Sequence, residues 1–201
     1  QNNYGGLGLN DEVHRSSPTQ VGSDTTWKSV ALANPGTTAA LKTDGTLWGW
    51  GDNNSGQLGQ NQASAQYGYA SSPIQVPGTW STFDCGEYAN GGIKTDGTLW
   101  MWGSNARGEL GINLGSYLQR RSSPVQVPGT TWRDVNIQGA QSCFAIKTDG
   151  SLWSWGYNYA GRLGLNQGTP VSRSSPTQVG SQTDVIRLGG GQYNTMYIRN
   201  T

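Results

Sequence analysis

The chain has 201 residues, with 13 Lys and Arg against 12 Asp and Glu, 31 Gly and 9 Trp. That length builds one domain with a sizeable core. The near-neutral balance excludes the basic stripe that a nucleic-acid backbone requires, and abundant Trp with only 12% charged residues excludes a solvated disordered tail.

No apolar run is long enough to span a bilayer, and no signal peptide is visible at the start. The first residue is Gln1, so the chain is processed, excerpted or incomplete there.

Four markers recur along the chain. The first is Gly-x-Leu-Gly, at Gly5-Gly6-Leu7-Gly8, Gly56-Gln57-Leu58-Gly59, Gly108-Glu109-Leu110-Gly111 and Gly161-Arg162-Leu163-Gly164. The second, Ser-Ser-Pro-x-Gln-Val, begins at Ser16, Ser71, Ser122 and Ser174. A Pro-led entry of this kind predicts an edge strand, where a missing N–H does no harm. The third is a short strand-like segment at Trp27 to Val30, Trp80 to Phe83, Trp132 to Val135 and Val185 to Leu188.

The fourth is the phrase Thr43-Asp44-Gly45-Thr46-Leu47-Trp48-Gly49-Trp50-Gly51, repeated from Thr95 and from Thr148. Asp-Gly tolerates the positive φ of a tight turn, so the phrase and the apolar run before it predict the two arms of a hairpin. Alternation puts Leu47 and Gly49 on one side of the strand, with Trp48 and Trp50 on the other. The same holds for Trp100 and Trp102, and for Trp153 and Trp155. No segment keeps a 3.6-residue apolar period, which predicts almost no helix.

Successive copies of the phrase start at residues 43, 95 and 148, spacings of 52 and 53 residues. Four short strands per period, punctuated by Gly turns, predict an all-β propeller of about four four-stranded blades. Trp and Leu would pack face to face between blades, each buried aromatic contributing about 2 to 3 kcal/mol. Residues 1–201 then form a single repeat domain, with units near 1–51, 52–103, 104–156 and 157–201 and an incomplete terminal blade.

The stretch from Leu41 to Gly59 resembles the repeat of the regulator of chromosome condensation family, and the resemblance covers essentially the whole chain. It implies seven-bladed propellers, of which this chain would be an open segment. The roles it implies are diverse: nucleotide exchange on the Ran GTPase, ultraviolet-B photoreception, β-lactamase inhibition, and bacterial and viral surface proteins. Fold is thus implied more strongly than activity. Where the family often has Cys-Gly-x-x-His-Ser, this chain has Cys85-Gly86-Glu87-Tyr88-Ala89-Asn90 and, one unit on, Gly139 to Cys143, both without the His. The exchange factor's Ran-facing insertion has no counterpart. The photoreceptor's Gly-Trp-Arg-His-Thr is also missing, which leaves the indoles as packing groups.

Gly-x-Leu-Gly and Ser-Ser-Pro occur four times, but the Trp-x-Trp strand occurs three times. Two readings stay open: a window on a longer propeller, or a blade lacking a strand, whose unpaired edge would template another chain and generate rings or filaments.

The segments between Gly-x-Leu-Gly and Ser-Ser-Pro vary most, and they are expected to form loops on one face. They and their edges hold His14, Arg15, Tyr67, Tyr69, Tyr117, Arg120, Arg121 and Arg173, side chains typical of recognition anchors; ordinary solvated loops are the alternative. Asp44, Asp96 and Asp149 recur at one position, which points to turn formation rather than acid–base catalysis. Asn53-Asn54-Ser55 is a glycosylation sequon. Cys85 and Cys143 read as small buried residues in preference to a disulfide, and a lone His14 builds no metal site.

No catalytic, cofactor or metal constellation is evident. The composition favours a non-enzymatic, extracellular or cell- or virion-surface scaffold, structural or adhesive, assembling into a fibre through its open terminal blades. Its partners would be a surface protein, a glycan or further copies of itself, with no nucleic acid. The alternative is a protein-interaction propeller that binds through its loop face, GTPase regulators included.

Overall fold

The computed structural model describes residues 1–34, 36–61, 68–114, 120–138, 141–167, 172–190 and 195–200. Every sheet is antiparallel and built of neighbours in sequence. Blade 1 comprises β1 (Trp27–Ala33), β2 (Thr37–Lys42), β3 (Leu47–Asp52) and β4 (Tyr69–Val76). Blade 2 comprises β5 (Trp80–Cys85), β6 (Ala89–Lys94), β7 (Leu99–Gly103) and β8 (Arg121–Gln126). Blade 3 comprises β9 (Trp132–Gln138), β10 (Ser142–Lys147), β11 (Leu152–Gly156) and β12 (Arg173–Gln178). A fourth sheet holds β13 (Val185–Gly190) and β14 (Thr195–Arg199). The only helical pieces among the described residues are two 3-10 turns, Asn3–Gly5 and Tyr159–Gly161.

The Asp-Gly hairpins form as the sequence indicates, for a local reason. Asp44 Oδ1 accepts from the Thr46 N–H at 2.9 Å and from its hydroxyl at 2.7 Å, and Gly45 takes φ +83°. Asp96 with Thr98 and Asp149 with Ser151 repeat the arrangement. The first indole of each phrase extends the chain of bonds: Trp48, Trp100 and Trp153 donate to Thr46, Thr98 and Ser151. A Lys ammonium lies over each half-buried ring, 4.3 Å from Trp48, 3.8 Å from Trp100 and 4.4 Å from Trp153.

The first Ser-Ser-Pro copy departs from the sequence expectation. The copies at Ser71, Ser122 and Ser174 lie in β4, β8 and β12, but residues 16–21 form no strand. The later copies each pair with a Trp-x-Trp strand, and no such strand lies beside residues 16–21 among the described residues. A strand without a ladder partner leaves its backbone groups to solvent.

The core is divided into the spaces between blades. Leu47 and Val76 of blade 1 cluster with Trp80, Cys85 and Trp102 of blade 2. Leu99 and Met101 of blade 2 cluster with Trp132, Val135 and Trp155 of blade 3. The second indole of each phrase is buried and donates backward across the interface. Trp50 Nε1 reaches the Gly6 carbonyl at 2.9 Å, Trp102 that of Gln57 at 2.6 Å, and Trp155 that of Glu109 at 2.7 Å. The same three carbonyls accept a second bond, from Thr38, Asn90 and Cys143 respectively. Cys85 and Cys143 are buried and unpaired, and burial pushes both thiols well above their ordinary pKa.

The two outer faces of the array are apolar and exposed. On β1, Val30 and Leu32 are 60% and 72% exposed; of their counterparts one and two units on, Cys85, Val135 and Ile137 are buried between blades and Phe83 is partly buried there. On β14, Met196 and Ile198 are 71% and 56% exposed, where the matching Ala39 and Leu41 are covered.

Candidate functional site

Strand direction gives each blade two ends. The Asp-Gly turns lie at one; at the other, the loop leaving the Trp-x-Trp strand carries Gly-x-Leu-Gly and returns as the outer strand. A repeated set of contacts locks each of these loops. Asn2, Asn53, Asn105 and Asn158 each accept, through Oδ1, the N–H of the Leu in their own Gly-x-Leu-Gly, at 2.8 to 3.1 Å. The Asn53-Asn54-Ser55 sequon falls on one of these structural positions.

The loop then clips the next blade. The Asn10, Asn61 and Asn113 N–H groups donate to the carbonyls of Ser71, Ser122 and Ser174 at 2.6 to 2.7 Å. All three Asn have φ near +57°, a region this residue tolerates better than most. Glycine is obligatory beside the clip. A Cβ on Gly108 (φ +83°) would stand 2.8 Å from the Arg173 carbonyl, and one on Gly111 (φ +65°) would stand 2.9 Å from Trp155 Nε1.

Onto this frame fall the residues singled out from the sequence. His14 Nδ1 accepts the Asn2 N–H at 2.9 Å. Arg15 reaches Asp11 at 2.7 Å and the Val13 carbonyl at 2.9 Å. The Tyr69 hydroxyl, exposed at the start of β4, donates to Glu12, so the structure brings Tyr69 to the loop of His14 and Arg15. The neighbouring Glu12 carboxylate raises the Tyr69 phenol.

Arg120 donates to the Asn54 carbonyl of the preceding blade at 2.6 Å. Arg121 and Arg173 are equivalent, each opposite the Gly that closes a Trp-x-Trp strand, Gly103 and Gly156. Arg173 donates to Gln167, and its Nε is buried without a partner. Tyr67 and Tyr117 lie outside the described residues. The contacts spread these side chains over successive blade junctions rather than gathering them at one point.

A denser group was not singled out from the sequence. The Tyr157 and Tyr159 rings stack at 6.0 Å and 21°. The Arg107 guanidinium lies 5.0 Å from the Tyr157 ring, and that of Arg162 lies 5.6 Å from Tyr157 and 5.7 Å from Tyr159. Its signal was available: Tyr157 and Arg162 break a pattern that blades 1 and 2 keep. At the same two positions Asp52 accepts from Gln57 at 3.1 Å, and Ser104 donates to Glu109 at 3.4 Å, inside their loops. Desolvation pushes the buried Glu109 carboxyl upward, opposed by the Arg107 N–H that it accepts at 2.6 Å.

Among the described residues, no three His, Cys, Asp or Glu side chains converge as a metal would require, and no helix is long and apolar enough to cross a membrane.

Comparison with known proteins agrees with this architecture. The chain is 27% identical over 185 residues to the mitochondrial RCC1 domain-containing protein RUG3 of Arabidopsis thaliana, covering 89% of this chain and 40% of that one. Its fold superposes on human WBSCR16 with a TM-score of 0.79 at 22% identity, covering 98% of this chain and 51% of the other. The yeast RCC1 (Prp20) chain of a complex with Kap60 gives a TM-score of 0.74 at 21% identity, over 88% of this chain and 43% of that one. The chain thus spans about half or less of each. The family model for the regulator of chromosome condensation (RCC1) repeat matches residues 44–90, 96–144 and 149–198, and a second model of that repeat matches 27–57. With more than two thirds of its residues matched in tandem, the chain belongs to the regulator of chromosome condensation (RCC1) repeat family.

Proposed function

We propose that this chain is a protein-binding propeller module whose partner docks at the loop end of the blades, a GTPase being one class of such partner. One observation carries the reading. Side chains that repeat from blade to blade are consumed by architecture, as the Trp-to-carbonyl and Asn-to-Leu bonds show. Tyr and Arg that do not repeat stand at the loop end, among them Tyr69, 47% exposed, and Tyr159, 57% exposed. Rigid scaffolds displaying variable loops are the usual site of recognition, and Tyr and Arg are the residues that most often anchor it. A solved propeller of this fold, yeast RCC1, has a protein partner bound, Kap60. The extracellular location rests on composition and the fibre on an open terminal blade, and this scaffold is the weaker reading.

Photo-crosslinking tests the choice of face. Benzoylphenylalanine placed at Tyr69 or Arg120 is expected to trap a discrete protein from native cell extract. The same probe at exposed Thr95, beside an Asp-Gly turn at the opposite end, is expected to trap none. Trapping from Thr95 and not from the loop end would overturn the assignment.

A further inference from the structure

We propose that residues 16–21 and the cavity beside them accept one extended strand of a protein partner, with a Leu and, two places on, a small residue turned toward blade 1. The repeat itself defines that chemistry. In blades 1 to 3 the Ser-Ser-Pro segment is the ladder partner of the Trp-x-Trp strand. Val76 lies opposite Leu47, and the Val127 and Val179 N–H groups donate to the Leu99 and Leu152 carbonyls at 2.9 and 2.8 Å. Each Val and Leu so joined then fills the next junction, against Trp80, Trp132 and Val185 in turn. The residue two places beyond that Leu meets the Leu of Gly-x-Leu-Gly, which limits its size. A Cβ on Gly49 would stand 3.5 Å from Leu58, and the Ser154 hydroxyl donates to the Leu163 carbonyl at 2.8 Å.

The first copy of this frame carries the same residues with their surfaces open. Ser16 to Gln20 are exposed, and the Val21 N–H has no backbone acceptor among the described residues. Val21 is half-buried, whereas its counterparts Val76, Val127 and Val179 are buried. Leu7 is half-buried, whereas Leu58, Leu110 and Leu163 are buried. Trp27 differs from Trp80 and Trp132 in the same sense. A cavity of about 490 Å³ is lined by Val21 and Trp27, with Leu9, Trp48 and Pro73 in its wall. A strand laid along residues 16–21 would bring a carbonyl to the Val21 N–H and a Leu side chain against Val21 and Trp27, as Leu47 is placed one unit on. Strand addition of this kind draws affinity from main-chain bonds and selectivity from alternate side chains. A helix does not fit, because it spends its backbone groups on itself. This edge is separate from the loop-end face, and neither assignment depends on the other.

A fluorescein-labelled peptide with the sequence of residues 43–52, titrated with the 201-residue protein and followed by anisotropy, tests the slot. Saturable binding is expected, with amide hydrogen exchange slowed at residues 16–21. Leu47→Asp in the peptide, which leaves the protein untouched, is expected to weaken binding about tenfold or more. Val21→Pro in the protein, which removes the N–H from an open segment, is expected to do the same. Met196→Asp, on the exposed apolar face of β14, is expected to leave binding intact. Absence of saturable binding, equal binding of the Leu47→Asp peptide, or an equal loss in Met196→Asp would overturn the proposal. Protection of residues 16–21 that grows with protein concentration in the absence of peptide would assign the slot to a second copy of the chain and overturn it as well.

Discussion

Asp84 shows how one buried group can set a pH response at a blade junction. Its Oδ2 accepts the Ile137 N–H at 2.7 Å and Asn136 Nδ2 at 3.1 Å across the interface between blades 2 and 3. Desolvation nevertheless dominates and raises its pKa to about 6. A carboxyl raised in the folded state stabilises fully below its unfolded pKa and loses that contribution as pH rises through the folded one. Stability relative to Asp84→Asn should therefore fall between about pH 4 and pH 6 and then level off, which melting temperatures across that range will show. The turn residues Asp44, Asp96 and Asp149 work in the opposite sense. Bonds from Thr46, Thr98 and Ser151 hold their pKa values low, so their contribution is full above the ordinary carboxylate range and lost as pH falls below it. The two indoles of one phrase also differ in weight. Trp102→Phe removes a buried bond to the Gln57 carbonyl and should cost about 1 to 2 kcal/mol in urea unfolding. Trp100→Phe loses a half-exposed bond to Thr98 and should cost less.

The blade element depends on glycine where loop meets neighbour. Gly111→Ala forces a side chain into a left-handed conformation and against the Trp155 indole, and should lower stability by about 1 to 3 kcal/mol. Gly161→Ala has a similar φ, +74°, but meets nothing within 4 Å, so it should cost only the strain. Urea midpoints of the two variants, compared side by side, separate strain from collision. Much of the blade was legible in the sequence, because its elements are encoded locally: Asp-Gly fixes the hairpin, alternation fixes its faces, and Ser-Ser-Pro marks the outer strand. Residues 16–21 show the boundary of that legibility, since an outer strand is made by its partner as much as by its own residues. The Tyr157–Arg162 cluster was missed for a related reason. Arg162 reads as one more variable residue of Gly-x-Leu-Gly until the structure shows Gln57 and Glu109 closing inward at the same place.

Across the whole molecule, stability resides between blades, so position in the array sets the effect of a substitution. Leu32 and Ile137 occupy the same site of the repeat, yet Leu32 is 72% exposed and Ile137 is 6%. Leu32→Asp should change stability by no more than about 0.5 kcal/mol, whereas Ile137→Asp buries a charge and should cost more than about 3 kcal/mol; thermal unfolding followed by tryptophan emission reads both. The nine indoles carry a further optical consequence. Trp27 lies 6.0 Å from Trp50, Trp80 lies 5.6 Å from Trp102, and Trp132 lies 6.2 Å from Trp155, each pair steeply inclined. Chromophores so close and so tilted exchange excitation, and their shared transition splits into a couplet of opposite signs in the ultraviolet. Each blade thereby writes its own chiral signal over the amide band, and the light absorbed by this protein can report which of its wedges still hold their strands together.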